Sequence, residues 1–240
     1  YGLAFHPRFA ENGFVYVTYV IDTNPNYTNV CTVDCHFCAF YRKPGANASD
    51  AYTHDLDGVM KMMADADALG ATTVLLQGGL NPAIPWEFYP SIVREARARY
   101  PHITPHFFSA PEIHQMAEVS GLSIRGVLDA LYAAGQRTLP GGGAEILATR
   151  VRKRISVKKG GPEAWLDVHR AAHQAGLRST ATMMYGHVET PAEIVEHFDY
   201  IRALQDETRG FTAFVPWSYK RGNTPMESRV PHVAGSSMYL

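Results

Sequence analysis

Apolar residues recur along this chain in short runs, each followed by a longer amphipathic stretch. The runs Thr73 to Leu76, Ile103 to Phe108, Arg137 to Leu139, Ser179 to Tyr185 and Phe211 to Pro216 read as strands. Their starts lie roughly 30 to 40 residues apart, the length of a strand plus a crossover helix. Ahead of them, Gly13 to Asn29 is rich in Val, Tyr, Ile and Thr and predicts a further strand, with a break at Asn24-Pro25-Asn26. Between Leu56 and Leu69 the positions Leu56, Val59, Met60, Met63 and Leu69 keep a helical period, closed by Gly70. The methionines there read as core filler, and Lys43 to Asp55 reads as exposed coil. Thr190-Pro191-Ala192-Glu193 is a capping box with proline at the first helical position, and Gly135 and Gly176 stand where C-terminal caps belong. Six β/α units without a dinucleotide fingerprint predict an α/β fold, a partial (β/α)6 TIM-like barrel in one domain spanning 1–240.

In such folds chemistry gathers where the loops leave the C-terminal ends of the strands. The unusual residues of this chain fall there: Cys31 to Cys38, Gln77-Gly78-Gly79, Ser109 to Glu112, Pro140 to Glu145, Tyr185 to Glu189 and Pro216 to Tyr219. Gln77-Gly78-Gly79 is either a plain turn or a place where bare backbone approaches a ligand. The glycines at 141 to 143 lack the following Gly-Lys-Ser/Thr of a phosphate loop. Glu145 reads as an acceptor at the barrel mouth or as an ordinary helix N-terminal acid. His187 and Glu189 form H-x-E, but no P-C-x-x-C follows, so a zinc deaminase is excluded. Tyr185 and His187 are expected to face a ligand, His187 as a proton acceptor near neutral pH, or else to be a capping tyrosine and a satisfied histidine. His169 and His173 lack the glutamate of a metalloprotease and are expected on a solvated helix face. Arg150 to Lys159 holds six basic residues in ten, a solvated loop unless Arg152 and Arg154 meet a carboxylate-bearing substrate.

Composition narrows the picture. With 46% hydrophobic and 19% charged residues and a net charge of -1, the chain is an ordinary globular protein with no general reason to bind nucleic acid or membrane. No apolar run reaches membrane-spanning length and no leader opens the chain. It starts at Tyr1 and stops at Met238-Tyr239-Leu240, and is therefore expected to be truncated at both ends. All three cysteines, Cys31, Cys35 and Cys38, lie in one C-x3-C-x2-C loop. Reduced, clustered cysteines point to the cytoplasm. Their odd number excludes full disulfide pairing. Structural zinc would want four ligands, for which His36 is the one neighbour in reach. Three thiolates on a four-iron cubane would instead leave one iron open to a small molecule.

The spacing, with Phe37 just before the last cysteine, resembles the radical S-adenosylmethionine superfamily. The resemblance implies a [4Fe-4S] cluster on Cys31, Cys35 and Cys38, and S-adenosyl-L-methionine on the open iron, cleaved by an electron to a 5'-deoxyadenosyl radical. It also implies a cofactor pocket of Phe37, Gln77, Gly78, Gly79, Glu145 and Tyr185. Further segments, Asn26 to Val30, Cys38 to Arg42, Leu139 to Leu147 (LPGGGAEIL), Met183 to Thr190 (MMYGHVET) and Phe211 to Trp217 (FTAFVPW), resemble the cyclic dehypoxanthinyl futalosine synthase family of the futalosine route to menaquinone. Its sisters are the aminofutalosine synthases and the deazaflavin (FO) synthase subunits. This implies cyclisation of dehypoxanthine futalosine through C4' hydrogen abstraction and addition to the benzoate ring. His187 or Glu145 would be the final base, Arg152, Arg154 and Trp217 would contact substrate, and flavodoxin or ferredoxin would donate the electron. A sister enzyme, or a non-catalytic zinc-binding module, is the alternative.

Overall fold

The computed structural model describes residues 25–230, together with the backbone of two short strands near the N-terminus. Those strands, β1 (Gly2–Phe5) and β2 (Val15–Thr18), pair antiparallel as a separate two-stranded sheet. The single strand expected over Gly13 to Asn29 is therefore divided. Val15–Thr18 belongs to the hairpin, residues 19–24 lie outside the described part, and residues 25–30 run beside the main sheet through a parallel bridge from Asn26 to Gln77.

The main sheet has five parallel strands in sequence order: β3 (Thr73–Leu76), β4 (Thr104–Phe107), β5 (Thr138–Leu139), β6 (Arg178–Tyr185) and β7 (Phe211–Ser218). The five strands curl into a partial barrel, and residues 25–30 run beside β3 through an isolated bridge. Crossover helices cover the outside: α1 (Leu56–Ala68), α2 (Phe88–Arg99), α3 (Ala110–Ser120), α4 (Ile124–Ala134), α5 (Thr149–Ile155), α6 (Pro162–Gln174) and α7 (Pro191–Thr208). Where one helix was expected after the third and fourth strands, two stand in each place. None of the described helices is long and apolar enough to cross a membrane.

The helices start and stop where their side chains dictate. Asp55 caps α1 by accepting from the Gly58 amide at 2.9 Å, and Thr190 with Glu193 forms the predicted box on α7. Gly135 and Gly176 take φ of 114° and 88°, a left-handed turn that glycine adopts without a Cβ penalty. Between sheet and helices lies the main apolar core, in which Val74, Leu76, Phe107, Leu139 and Ala181 of the strands meet Val59, Met63, Ile92, Ile113, Leu128 and Trp165. Each fully buried aliphatic side chain of this kind contributes about 1.5 to 3 kcal/mol, so packing outweighs the caps, worth about 1 kcal/mol each. A smaller cluster of Ile146, Val151, Ile155, Met183, Met184, Tyr219 and Met226 sits under the cysteine loop.

His169 is buried and His173 half-buried rather than on a solvated face. The Trp165 ring lies tilted against His169, centroids 3.9 Å apart, and the two imidazoles meet the Ser179 hydroxyl at 3.0 and 2.7 Å. They close the helix-to-sheet interface because the i, i+4 positions of α6 turn inward. Burial lowers both imidazoles below their ordinary pKa.

Candidate functional site

The cysteine loop is tied at both ends and at its middle. At its base the Cys31 amide donates to the Arg42 carbonyl at 2.8 Å and the Arg42 amide donates to Asn29 at 2.7 Å. The Arg42 guanidinium donates to the carbonyls of Ala39, Phe40 and Tyr41 and pairs with Asp50. Phe40-Tyr41-Arg42 thus serves the loop's own closure. At mid-loop the His36 amide donates to Ile155 at the end of α5 at 2.8 Å, its Nδ1 lies 2.9 Å from the Arg154 carbonyl, and the Met226 amide donates back to His36 at 3.0 Å. His36 is held by backbone, not by the thiols.

Cys31, Cys35 and Cys38 are free thiols, Cys35 buried and the others half-buried. Among the described residues no three His, Cys, Asp or Glu side chains converge on a single ion. A four-iron cluster asks something different, because each thiolate takes its own iron around a body. Burial pushes the Cys35 thiol up to about 12, against the attraction of Lys159. Iron binding requires that proton to leave, and a cation beside the sulfur favours its departure.

Lys159 was not singled out in the sequence. Its Nζ donates to Glu145 Oε1 at 3.0 Å and stands 5.2 Å above the Phe37 ring, which meets Trp217 edge to face at 6.5 Å. Burial opposes its charge, yet Cys35 and Glu145 carry its pKa above the ordinary lysine value. Glu145 has φ of 45°, a left-handed conformation that turns its carboxylate inward. Its Oε2 is buried without a hydrogen-bond partner, 3.9 Å from Arg152. Three free thiols and one orphaned carboxylate oxygen beside a cation fit a cluster that carries an amine-bearing ligand.

The Arg152 guanidinium is spent on backbone carbonyls. Only 1% exposed, Arg152 donates to the carbonyls of Gly143 and Ala144 at 3.0 Å, Gly160 at 2.8 Å and Lys159 at 3.2 Å. It clamps the glycine loop to the turn after α5. Arg154 is exposed on α5, with only its carbonyl directed at the cysteine loop.

The glycine pair is more crowded than a ligand platform requires. A Cβ on Gly78 would lie 2.5 Å from the Tyr27 ring, and one on Gly79 would lie 2.2 Å from the Val30 carbonyl oxygen. The Gly78 amide is already used, donating to Glu112 Oε1 at 3.0 Å. Glu112 also accepts from Tyr27 at 2.7 Å and from the amide and hydroxyl of Ser109 at 2.7 and 2.5 Å. Burial raises its carboxyl despite these four bonds. This buried knot joins strand 25–30, the end of β3 and the start of α3. The Ser-x-x-Glu pattern at 109 to 112 was its one sequence signal. Gln77 reaches inward over Gly142, where a Cβ would meet its Nε2 at 2.4 Å.

His187 is turned away from the rim. Its Nε2 lies 2.9 Å from the Met184 carbonyl, its Nδ1 accepts from the Val188 amide at 2.7 Å, and its side chain is sealed from solvent beside Glu189. Both nitrogens are engaged, and burial lowers its pKa. The H-x-E pair therefore organises its own turn, the Glu189 carboxylate accepting from the Gly186 and His187 amides. Tyr185 is half-buried and packs with Phe37 against the smaller apolar cluster. The rim thus gathers the three cysteines with Phe37, Glu145, Lys159 and Trp217, and leaves out His187, Arg152 and the Arg154 side chain. A cleft of about 530 Å³ flanks the loop, lined in part by Thr32, Val33, Pro111, Arg152, Lys158 and Lys159.

Comparison with known proteins agrees with this geometry. The chain is 40% identical over 226 residues to aminodeoxyfutalosine synthase of Streptomyces coelicolor, covering 94% of this chain and 58% of that one. It is 41% identical over 209 residues to cyclic dehypoxanthine futalosine synthase of Halalkalibacterium halodurans, covering 87% and 56%. FO synthase of Mycobacterium tuberculosis is 42% identical over 210 residues, 88% of this chain and 24% of that one. The chain thus spans little more than half the length of the first two. Among solved structures, HydG, a maturase of the [FeFe]-hydrogenase, superposes with a TM-score of 0.69 at 14% identity, covering 89% of this chain and 46% of that one. Methylornithine synthase superposes at 0.61 and 15%, covering 84% and 54%. Both share the fold. The Radical SAM superfamily profile matches residues 25–201, and the chain belongs to that superfamily, whose enzymes use a [4Fe-4S] cluster and S-adenosylmethionine.

Proposed function

We propose that the protein carrying this chain cyclises dehypoxanthine futalosine to cyclic dehypoxanthinyl futalosine, by hydrogen abstraction at C4' and ring closure onto the benzoate. The observation that carries the reading is the rim, with three free thiols in one loop beside a buried carboxylate whose Oε2 lacks a hydrogen-bond partner. Its finer part is supported by the likeness to cyclic dehypoxanthine futalosine synthase. The equal likeness to aminodeoxyfutalosine synthase keeps an intermolecular addition as the second reading.

When bound, the cluster and S-adenosylmethionine supply an electron and a carbon radical able to take hydrogen from a sugar carbon. In this reading Cys31, Cys35 and Cys38 hold the cluster, and Lys159 favours the thiolate of Cys35. Glu145 Oε2 would accept from the cofactor's ammonium group, with Gln77 and Tyr185 beside it, while Gly78 and Gly79 let Tyr27 and the strand end before Cys31 pack closely behind them. Phe37 and Trp217 form an aromatic wall that orients the substrate and excludes water. A small low-potential protein such as flavodoxin or ferredoxin supplies the electron.

The test is anaerobic. The cluster is reconstituted, S-adenosylmethionine, reductant and dehypoxanthine futalosine are added, and 5'-deoxyadenosine and substrate mass are followed. Deoxyadenosine with a product two hydrogens lighter is expected. Deoxyadenosine without that product overturns the substrate and moves the protein to a sister reaction.

A further inference from the structure

The inner face of the curled sheet carries a row of polar groups that the rim does not use. In a closed barrel this layer is filled by branched apolar side chains. Here the register partners His106 and Thr138 stand beside Thr180, with Thr182 one step higher on β6, and all four are half-buried rather than sealed.

Their hydrogen bonds run in one direction. The Thr138 hydroxyl donates to the Pro105 carbonyl at 3.2 Å, so at 2.9 Å from His106 it accepts, and Nδ1 carries the hydrogen. Nε2 is then an acceptor, and its one partner, the Thr180 hydroxyl, lies at 3.4 Å, long for such a bond. The Thr180 oxygen accepts from the Gly141 amide at 3.0 Å, and Thr182 donates to the Gly141 carbonyl at 2.6 Å. The hydroxyl hydrogens of Thr138 and Thr182 are thus committed to the protein, Thr180 has only the long contact to His106 for its own, and oxygen lone pairs along the row remain for an outside donor. Burial keeps the imidazole neutral, with a pKa of about 4. A row of neutral acceptors repels carboxylates and phosphates, is costly to cover with hydrocarbon, and matches a string of O–H donors. Thr180 and Thr182 are two residues apart on one strand, about 6.6 Å, within the span of a short polyol.

We propose that His106, Thr138, Thr180 and Thr182 form a subsite for the hydroxyl-bearing sugar or polyol portion of the substrate, whose hydroxyls donate to His106 Nε2 and the threonine oxygens. The subsite rests on the proposed activity, because it holds one part of the molecule while another meets the rim.

Ribitol is the probe, measured by equilibrium dialysis on cluster-loaded protein without reductant, alongside KM for dehypoxanthine futalosine. Thr180→Val, Thr182→Val and His106→Leu are expected to weaken ribitol binding and raise KM about tenfold each, the loss of one hydrogen bond. Thr180→Ser and Thr182→Ser keep the hydroxyl and are expected to keep both values. Equal ribitol binding by wild type and the valine variants, no ribitol binding by wild type, or a fall in kcat at unchanged KM overturns the subsite. Failure of S-adenosylmethionine cleavage would sink the proposed activity instead, and the dialysis still reads the row.

Discussion

Lys159 joins the halves of the rim, since it touches Glu145 and lies over Phe37. Lys159→Met leaves the buried Glu145 carboxylate with only Arg152 at 3.9 Å. Removing one partner of such a pair costs about 3 to 5 kcal/mol, to be read as a lower urea midpoint, and adding Glu145→Gln is expected to recover most of it. Tyr27→Phe takes one of four hydrogen bonds from buried Glu112 and is expected to cost about 1 to 3 kcal/mol in the same measurement. Of these residues the cysteines and Glu145 were legible in the sequence, because unusual residue types fall after predicted strands. Lys159 and Arg152 were not, since a basic run reads as solvated until the fold reveals which of its members turn inward. His187 misled for the complementary reason. An imidazole after a strand suggests chemistry, whereas its own neighbours Met184 and Val188 use both nitrogens.

The helices and strands followed from period and caps, and their order gave the curled sheet. The first strand did not, since pairing with Gly2–Phe5 rather than with β3 is a tertiary choice that Val15–Thr18 does not announce. Gly78 and Gly79 illustrate the same limit. Their sequence pattern marks a close backbone approach, and the space they leave is taken by Tyr27 and the Val30 carbonyl. Gly79→Ala must push the strand before Cys31 away from β3, so iron bound per chain after reconstitution is expected to fall by more than half. Wild-type iron content in that variant would show that the loop seats without this contact.

Across the molecule, imidazoles set the response to acid. Burial holds His106, His173 and His197 at about 4 and His169 well below its ordinary value, whereas the unfolded chain binds those protons from about pH 6.5. Between the two values the unfolded state binds more protons, so unfolding free energy falls as pH drops from about 6.5 toward 4, and His169 continues the fall below that. Urea midpoints at pH 7, 6 and 5 are expected to decline steadily, and less steeply in His197→Gln. A flat profile would contradict the neutral, buried histidines.

The bonds from His36 to Ile155 and from Met226 back to His36 bear on the order of events during synthesis. The three thiols emerge from the ribosome early, but the contacts that hold the middle of their loop are supplied more than a hundred residues later. Long-range contacts of this kind form late. Until then the cysteines are a floppy, oxidisable segment. Iron delivery therefore belongs after translation of this region, and the cell must keep the nascent loop reduced in the interval.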